Sequence, residues 1–318
     1  MHYWRRAARI PSSFAMTSWT EAELPPGAAY RGATVEALKR RRDAEGDKYF
    51  PSVFNPGTLN RRGPIRVAED RIPANKSQDG RPGFNMYYEL HGEGPIHLVF
   101  LMGLNNSCFG WLDQVDEFGH DPRYSVLVLD NRGYGNTDAP HTRYTTSAFA
   151  DDVADVFQHL GWTEPRSVHL VGVSMGGMIA LEMCRRYSER FASATLLSTT
   201  AGDAHNLPPI KGLGMIVLSV SEQIVGAGSP LNRIKRVLDV LFPQEWLDAK
   251  SPTDPHGRTN RELVLPVFLW RFNFARRPTL HGALSQMAAS LTHHVPAEEL
   301  GRIDKTVPRI QVITGNGA

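Results

Sequence analysis

The sequence predicts an α/β protein: a mostly parallel, doubly wound sheet with a helical insertion over its C-terminal edge. Three observations carry this. Short, almost continuous apolar runs recur along the chain and stop at Gly, Asp or Ser. Stretches with apolar residues at helical spacing lie between them. One long interval, Asp203 to about Ala297, breaks the alternation and reads as largely helical. A run apolar at every position suits a strand covered on both faces, and strands alternating with helices imply parallel pairing.

In chain order, residues 1–63 are rich in Arg, Pro and Gly, lack strand periodicity and are expected to form a partly disordered extension. Arg5, Arg6 and Arg9 among serines, with no acid in the first 20 residues, give a weak transit-peptide pattern. Lys39 to Arg42, beside Asp43 and Glu45, suits an exposed helix face. A core is expected over 64–203. Its strand candidates are Ile65 to Ile72, Phe84 to Leu90, Ile96 to Leu101, Val126 to Leu129, Val168 to Val171 and Ala194 to Leu197. Phe149 to Leu160 spaces Val153, Val156, Phe157 and Leu160 along one helix face, and Met178 to Tyr187 follows suit. Residues 204–297 are expected to be a helical cap, with segments Met215 to Val220, Ile234 to Phe242 and Leu263 to Phe274. Leu213, Met215, Val264, Phe268 and Met287 are candidates for its inner lining. The core resumes over 298–318 with Ile310 to Ile313.

With 318 residues, 41% of them hydrophobic, the chain can bury a large core. A net charge of +2 is too mild to imply nucleic acid or an anionic membrane as partner. No apolar run approaches the roughly 20 residues of a membrane span. Cys108 and Cys184 form neither a disulfide framework nor a CxxC motif, which suits a reducing, cytoplasmic compartment, with a mitochondrial one as the alternative. No Walker loop, H-E-x-x-H or G-x-G-x-x-G occurs in a fitting context, so neither cofactor nor metal is expected.

The chemistry centres on Gly172-Val173-Ser174-Met175-Gly176, directly after an apolar strand and before a helix. A serine on a sharp strand-to-helix turn needs small neighbours, because side chains at either glycine would collide with strand or helix. The turn lifts the Ser174 hydroxyl clear of the sheet, and the helix N-terminus behind it favours developing negative charge. Met102-Gly103-Leu104-Asn105-Asn106 follows an earlier strand end, and the backbone N–H groups of Leu104 and Met175 are the candidate oxyanion donors. Ser174, Leu104 and Met175 are thus the predicted site.

Asp130-Asn131-Arg132-Gly133-Tyr134-Gly135-Asn136-Thr137 resembles the D-x-R-G-x-G-x-S loop of the α/β-hydrolase superfamily. Gln286 to Ala289, with Leu300, Ile303, Pro308 and Gly315, resembles that family's link from cap to penultimate core strand. The resemblance spans about Phe84 to Gly315. It implies a GxSxG nucleophile elbow, an oxyanion hole, a cap and a small-molecule substrate, in the branch that includes esterases, lactonases, C–C bond hydrolases and proline iminopeptidases. With Ser174 in the nucleophile slot, an epoxide hydrolase or dehalogenase that uses an Asp nucleophile is disfavoured. Met102 stands where the family commonly has histidine. The resemblance implies a structural role for the loop around Arg132.

The family's acid slot falls on Ala318, and its base follows one further strand, so the resemblance implies a chain truncated before its last core strand. A serine without a base is a poor nucleophile at neutral pH. The expectation is that the chain to Ala318 labels slowly with a fluorophosphonate and is poorly soluble at its open sheet edge, while an extended version labels at Ser174. Asp203 is an alternative acid, and His205, His256, His281, His293 and His294 are alternative bases in or beside the cap. The sequence therefore predicts a serine hydrolase of small apolar esters, lactones or related acyl compounds. The contrasting prediction is a non-catalytic ligand-binding relative, or an inactive one lacking acid and histidine.

Overall fold

The computed structural model describes residues 52–202, 230–252, 254–274, 276 and 278–315. The described residues form two compact units. One runs from Gly57 through the first core segment and takes up the chain again from 278; the other holds 52–56 and the described residues between 230 and 276.

The first unit is built on a seven-stranded sheet: β1 (Leu59–Val67), β2 (Phe84–His91), β3 (Ile96–Leu101), β4 (Tyr124–Leu129), β5 (Val168–Val173), β6 (Phe191–Leu197) and β7 (Ile310–Ile313). The spatial order is β1-β2-β4-β3-β5-β6-β7, with β1–β2 and β2–β4 antiparallel and the other pairs parallel. The strands ending near Gly103, Asp130, Gly172 and Ser198 thus share one sheet with the strand before Gly315. β1 begins at Leu59, ahead of the predicted core boundary at Pro64, and ends at Val67 rather than Ile72. It is an outer strand, half exposed and rich in arginine, so it lacks the apolar continuity that marks the central strands. At the other side β7 is outermost among the described residues, with Val312 and Ile313 exposed.

Helices α1 (Leu112–Gly119), α2 (Thr146–Leu160), α3 (Met175–Arg186), α7 (Leu280–Leu291) and α8 (Ala297–Thr306) complete this unit. The helix α2 shows how sequence sets an element. The Thr145 hydroxyl accepts the Ala148 N–H at 3.1 Å and Gly161 closes the helix at φ 73°. Between the caps Phe149, Val153, Val156 and Phe157 are fully buried in the main core with Val99, Leu101, Leu127 and Leu129 of the sheet. Truncating a buried Phe of this kind costs about 3–5 kcal/mol.

The second unit contains α4 (Pro230–Leu241), α5 (Gln244–Asp248) and α6 (Asn260–Phe274) around a core of Ile234, Leu238, Leu247, Leu265 and Leu269. Of the interval predicted as a cap, 203–229 lies outside the described residues, including Asp203, His205, Leu213 and Met215. Val264 and Phe268 pack on the core of this helical unit. Met287 lies on α7, which groups with the sheet. Among the described residues no helix is long and apolar enough to cross a membrane.

Candidate active site

The strand order reverses direction around β3. From β3 the chain moves out to β4, then returns past β3 to β5. In open α/β sheets ligands bind in the crevice at such a reversal, outside the strand C-termini. Two loops meet there: Val173–Ser174–Met175 after β5, and Met102 to Asn105 after β3.

Ser174 has φ 54° and ψ −121°, a conformation that an L-residue rarely adopts, and is exposed. Its neighbours explain how the strain is held. A Cβ on Gly172 would lie 2.3 Å from the Gly176 carbonyl oxygen; one on Gly176 would lie 2.1 Å from the Leu101 carbonyl oxygen. One on Gly177 would lie 2.6 Å from Thr199 Cβ. Strand and helix are therefore in backbone contact on both sides of the turn. The Ser174 N–H donates to Leu197 O at 2.9 Å. The Ser174 carbonyl accepts from Gly177 N–H at 2.9 Å, Met178 N–H at 3.1 Å and Thr199 Oγ1 at 2.8 Å. Because a trans peptide sets C=O and N–H in opposite directions, this fixes the Met175 N–H away from the carbonyl's partners. That N–H, at the first position of the 12-residue α3, has no acceptor among the described residues.

The β3 loop lies against this turn. A Cβ on Gly103 would stand 3.2 Å from Ser174 Cβ and 3.7 Å from Ser174 Oγ. The Leu104 N–H also has no acceptor among the described residues. Asn105 follows at φ 47°, and its N–H donates to Gln286 Oε1 at 2.9 Å. Gln286, fully buried on α7, donates through Nε2 to Arg132 O at 2.8 Å. Asn131 Nδ2 donates to Met102 O at 3.0 Å. The β3 loop, with its uncommitted Leu104 N–H, thus lies beside the Ser174 turn, where the uncommitted Met175 N–H opens α3.

The Asp130–Thr137 loop is a scaffold. Buried Asp130 accepts Ser107 Oγ at 2.9 Å, Cys108 N–H at 2.7 Å and Asn136 N–H at 2.7 Å. Gly135 packs so closely on this carboxylate that a Cβ would stand 2.1 Å from Oδ2. Arg132 is buried, pairs with buried Asp152 (Nε to Oδ2 2.6 Å) and lies 4.9 Å from the Phe84 ring centre. A buried ion pair of this kind fixes geometry more than it adds net stability.

Three of the alternative bases, His281, His293 and His294, have ring bonds elsewhere. His281 Nε2 bonds Pro140 O at 3.0 Å. His293 is buried, with Nδ1 2.8 Å from Thr146 Oγ1, and burial pushes its pKa down from 6.5 to about 4. The His294 ring bonds Gly202 O, and His256 lies in the helical unit. Among the described residues no histidine nitrogen bonds Ser174 Oγ. Asp203, His205 and Ala318 lie outside the described residues. Both cysteines are buried and free; burial pushes Cys184 up to about 12 and Cys108 up as well. Among the described residues no group of three or more His, Cys, Asp or Glu is placed to hold a metal ion.

Sequence reading missed two contributors: Thr199, which fixes the Ser174 carbonyl, and the role of Gln286. A lone amide among Ala283, Met287 and Ala289 on a buried helix face was the available signal for Gln286.

Comparison with known proteins agrees with this architecture. The family model of the alpha/beta hydrolase fold matches residues 96–223. Human epoxide hydrolase 4 is 34% identical over 110 residues, 34% of this chain and 29% of that one. A 2-hydroxy-6-oxononadienedioate/2-hydroxy-6-oxononatrienedioate hydrolase of Burkholderia vietnamiensis is 28% identical over 195 residues, 60% of this chain and 63% of that one. The chain therefore spans less than two thirds of the length of either relative. A thermophilic esterase of Thermogutta terrifontis superposes with TM-score 0.53 at 19% identity, over 80% of this chain and 90% of that one. The solved structure shows the shared α/β-hydrolase fold, and the family match and the hydrolase relatives are similarities over part of this chain.

Proposed function

We propose that this chain is a serine hydrolase acting on a small apolar ester, lactone or related acyl substrate. The observation that carries the reading is the strained, exposed Ser174 on a strand-to-helix turn beside the β3 loop, with no acceptor for the Leu104 and Met175 N–H groups among the described residues. In this reading Ser174 Oγ attacks the substrate carbonyl carbon and its proton passes to a base. The carbonyl oxygen becomes an oxyanion held by the two N–H donors, each worth about 3–4 kcal/mol to the transition state. Collapse expels the alcohol and leaves an acyl-enzyme on Ser174; water then releases the acid. The N-terminus of α3 adds a favourable dipole at the developing charge. Structural neighbours that include an esterase and an enol-lactonase support the substrate class. Hydrolysis of short-chain p-nitrophenyl esters tests the reading. Ser174→Ala should abolish turnover while leaving the melting temperature close to wild type; turnover that survives the substitution would overturn it.

A second reading, a non-catalytic ligand-binding protein, is favoured by one observation: no histidine among the described residues bonds Ser174 Oγ. It is distinguished by apolar acyl ligands that bind without being turned over, with Ser174→Ala leaving their affinity unchanged.

A further inference from the structure

The loop that carries the Leu104 N–H is short, and its first and last peptides are each held by a side chain from another element. At one end Asn131 Nδ2 donates to Met102 O; at the other the Asn105 N–H donates to Gln286 Oε1. The second tether is unusual in kind. Gln286 comes from α7, 181 residues further along the chain, and its amide is fully buried with both ends used, one on the β3 loop and one on Arg132 O of the β4 loop. It thereby joins the helix and both loops at a single point. The Asn105 it holds has φ 47°, in the left-handed region that asparagine tolerates better than most residues.

We propose that Gln286 is a positioning residue that sets the Leu104 N–H against Ser174. Resting on the serine-hydrolase reading above, the proposal deepens it: the distance between oxyanion donor and nucleophile is decided by an amide on α7 and not by the β3 loop itself. A Cβ added to Gly103 would stand 3.2 Å from Ser174 Cβ, so the loop runs beside the serine and a drift of the loop shifts Leu104 relative to the hydroxyl. A misplacement of about 1 Å costs on the order of 10²-fold in rate. An untethered Asn105 amide would also lose its acceptor in a buried setting, so the loop would relax rather than keep its position.

The test has two arms. In the first, amide hydrogen exchange is followed by NMR in the unmodified chain. The Asn105 N–H should exchange slowly and the Leu104 N–H fast, and Gln286→Met should speed Asn105 selectively. In the second, inactivation by a fluorophosphonate is resolved into its maximal rate and its half-saturation concentration, per titrated active site. Gln286→Met should lower the maximal rate by roughly 10²-fold with little change in half-saturation. A merely structural role would lower the melting temperature and the number of active sites while leaving the rate per site intact. Asn105 exchanging as fast as Leu104 in the unmodified chain, or an unchanged maximal rate per site in the variant, overturns the proposal. If the unmodified chain takes no label, the serine-hydrolase reading fails, and the proposal that rests on it falls too; slow Asn105 exchange would then establish the tether alone.

Discussion

Gly176→Ala is the sharpest probe of how this fold holds a strained serine. The added Cβ would lie 2.1 Å from the Leu101 carbonyl oxygen, 2.6 Å from its carbon and 2.9 Å from the Met102 carbonyl oxygen. All three are backbone atoms at the end of β3, so no side chain can swing aside. Ordinary contact begins near 3.4 Å, so helix and strand must separate by about 1.3 Å. Overpacking typically costs 1–3 kcal/mol, and a clash with fixed backbone belongs at the upper end, about 3 kcal/mol. That corresponds to a fall in melting temperature of roughly 6–12 °C. The displacement also moves the Met175 N–H relative to Leu104, for an expected loss of about 10²-fold in Ser174 reactivity. Gly161→Ala serves as the control. Gly161 has φ 73° with nothing within 4 Å of an added Cβ, so only the backbone penalty of about 1–2 kcal/mol applies, with no change in reactivity. Differential scanning calorimetry and labelling rates on the two variants decide the matter. A Gly176→Ala protein that melts within about 2 °C of wild type and labels normally would refute the close-contact account.

Three further outcomes follow from the same geometry. His293 has a folded-state pKa near 4 against 6.5 for the free side chain, so the unfolded chain binds its proton first as pH falls. Stability should therefore drop by about 3 kcal/mol between pH 6.5 and 4 from this residue alone, and the urea-unfolding profile of His293→Asn should be flatter over that window by that amount. Asp152→Ala leaves Arg132 charged and buried without its partner and should cost about 3–5 kcal/mol in urea unfolding, whereas replacing both residues by Leu should recover most of the loss. Cys108 and Cys184, buried with raised pKa values, should resist iodoacetamide in the native chain and react once it is unfolded; modification of the native chain would contradict their burial.

What was legible in the sequence follows from which signals are local. The central strands announce themselves because burial on both faces demands uninterrupted apolar residues, as in Val126 to Leu129, every one fully buried. The Ser174 turn is legible because its constraint is steric: Gly172 and Gly176 are required by backbone contacts that any observer of the motif can anticipate. β1 was misjudged because an outer strand with one face in solvent carries the composition of a loop. Gln286 and Thr199 escaped assignment because their partners lie far away in sequence. A buried amide in a helix says that it must be bonded, but not that its acceptor will be used by Asn105, 181 residues upstream. The left-handed Asn105 was equally hidden, since asparagine tolerates such a φ without declaring it.

The central claim is that Ser174 is the nucleophile, and residue-resolved covalent labelling tests it most directly. The chain is incubated at length with a fluorophosphonate, digested and mapped by mass spectrometry, beside Ser174→Ala. The account predicts a single phosphonyl adduct, on Ser174, and absent from the variant. An adduct on another residue, an adduct that persists in Ser174→Ala, or no adduct at all would contradict it.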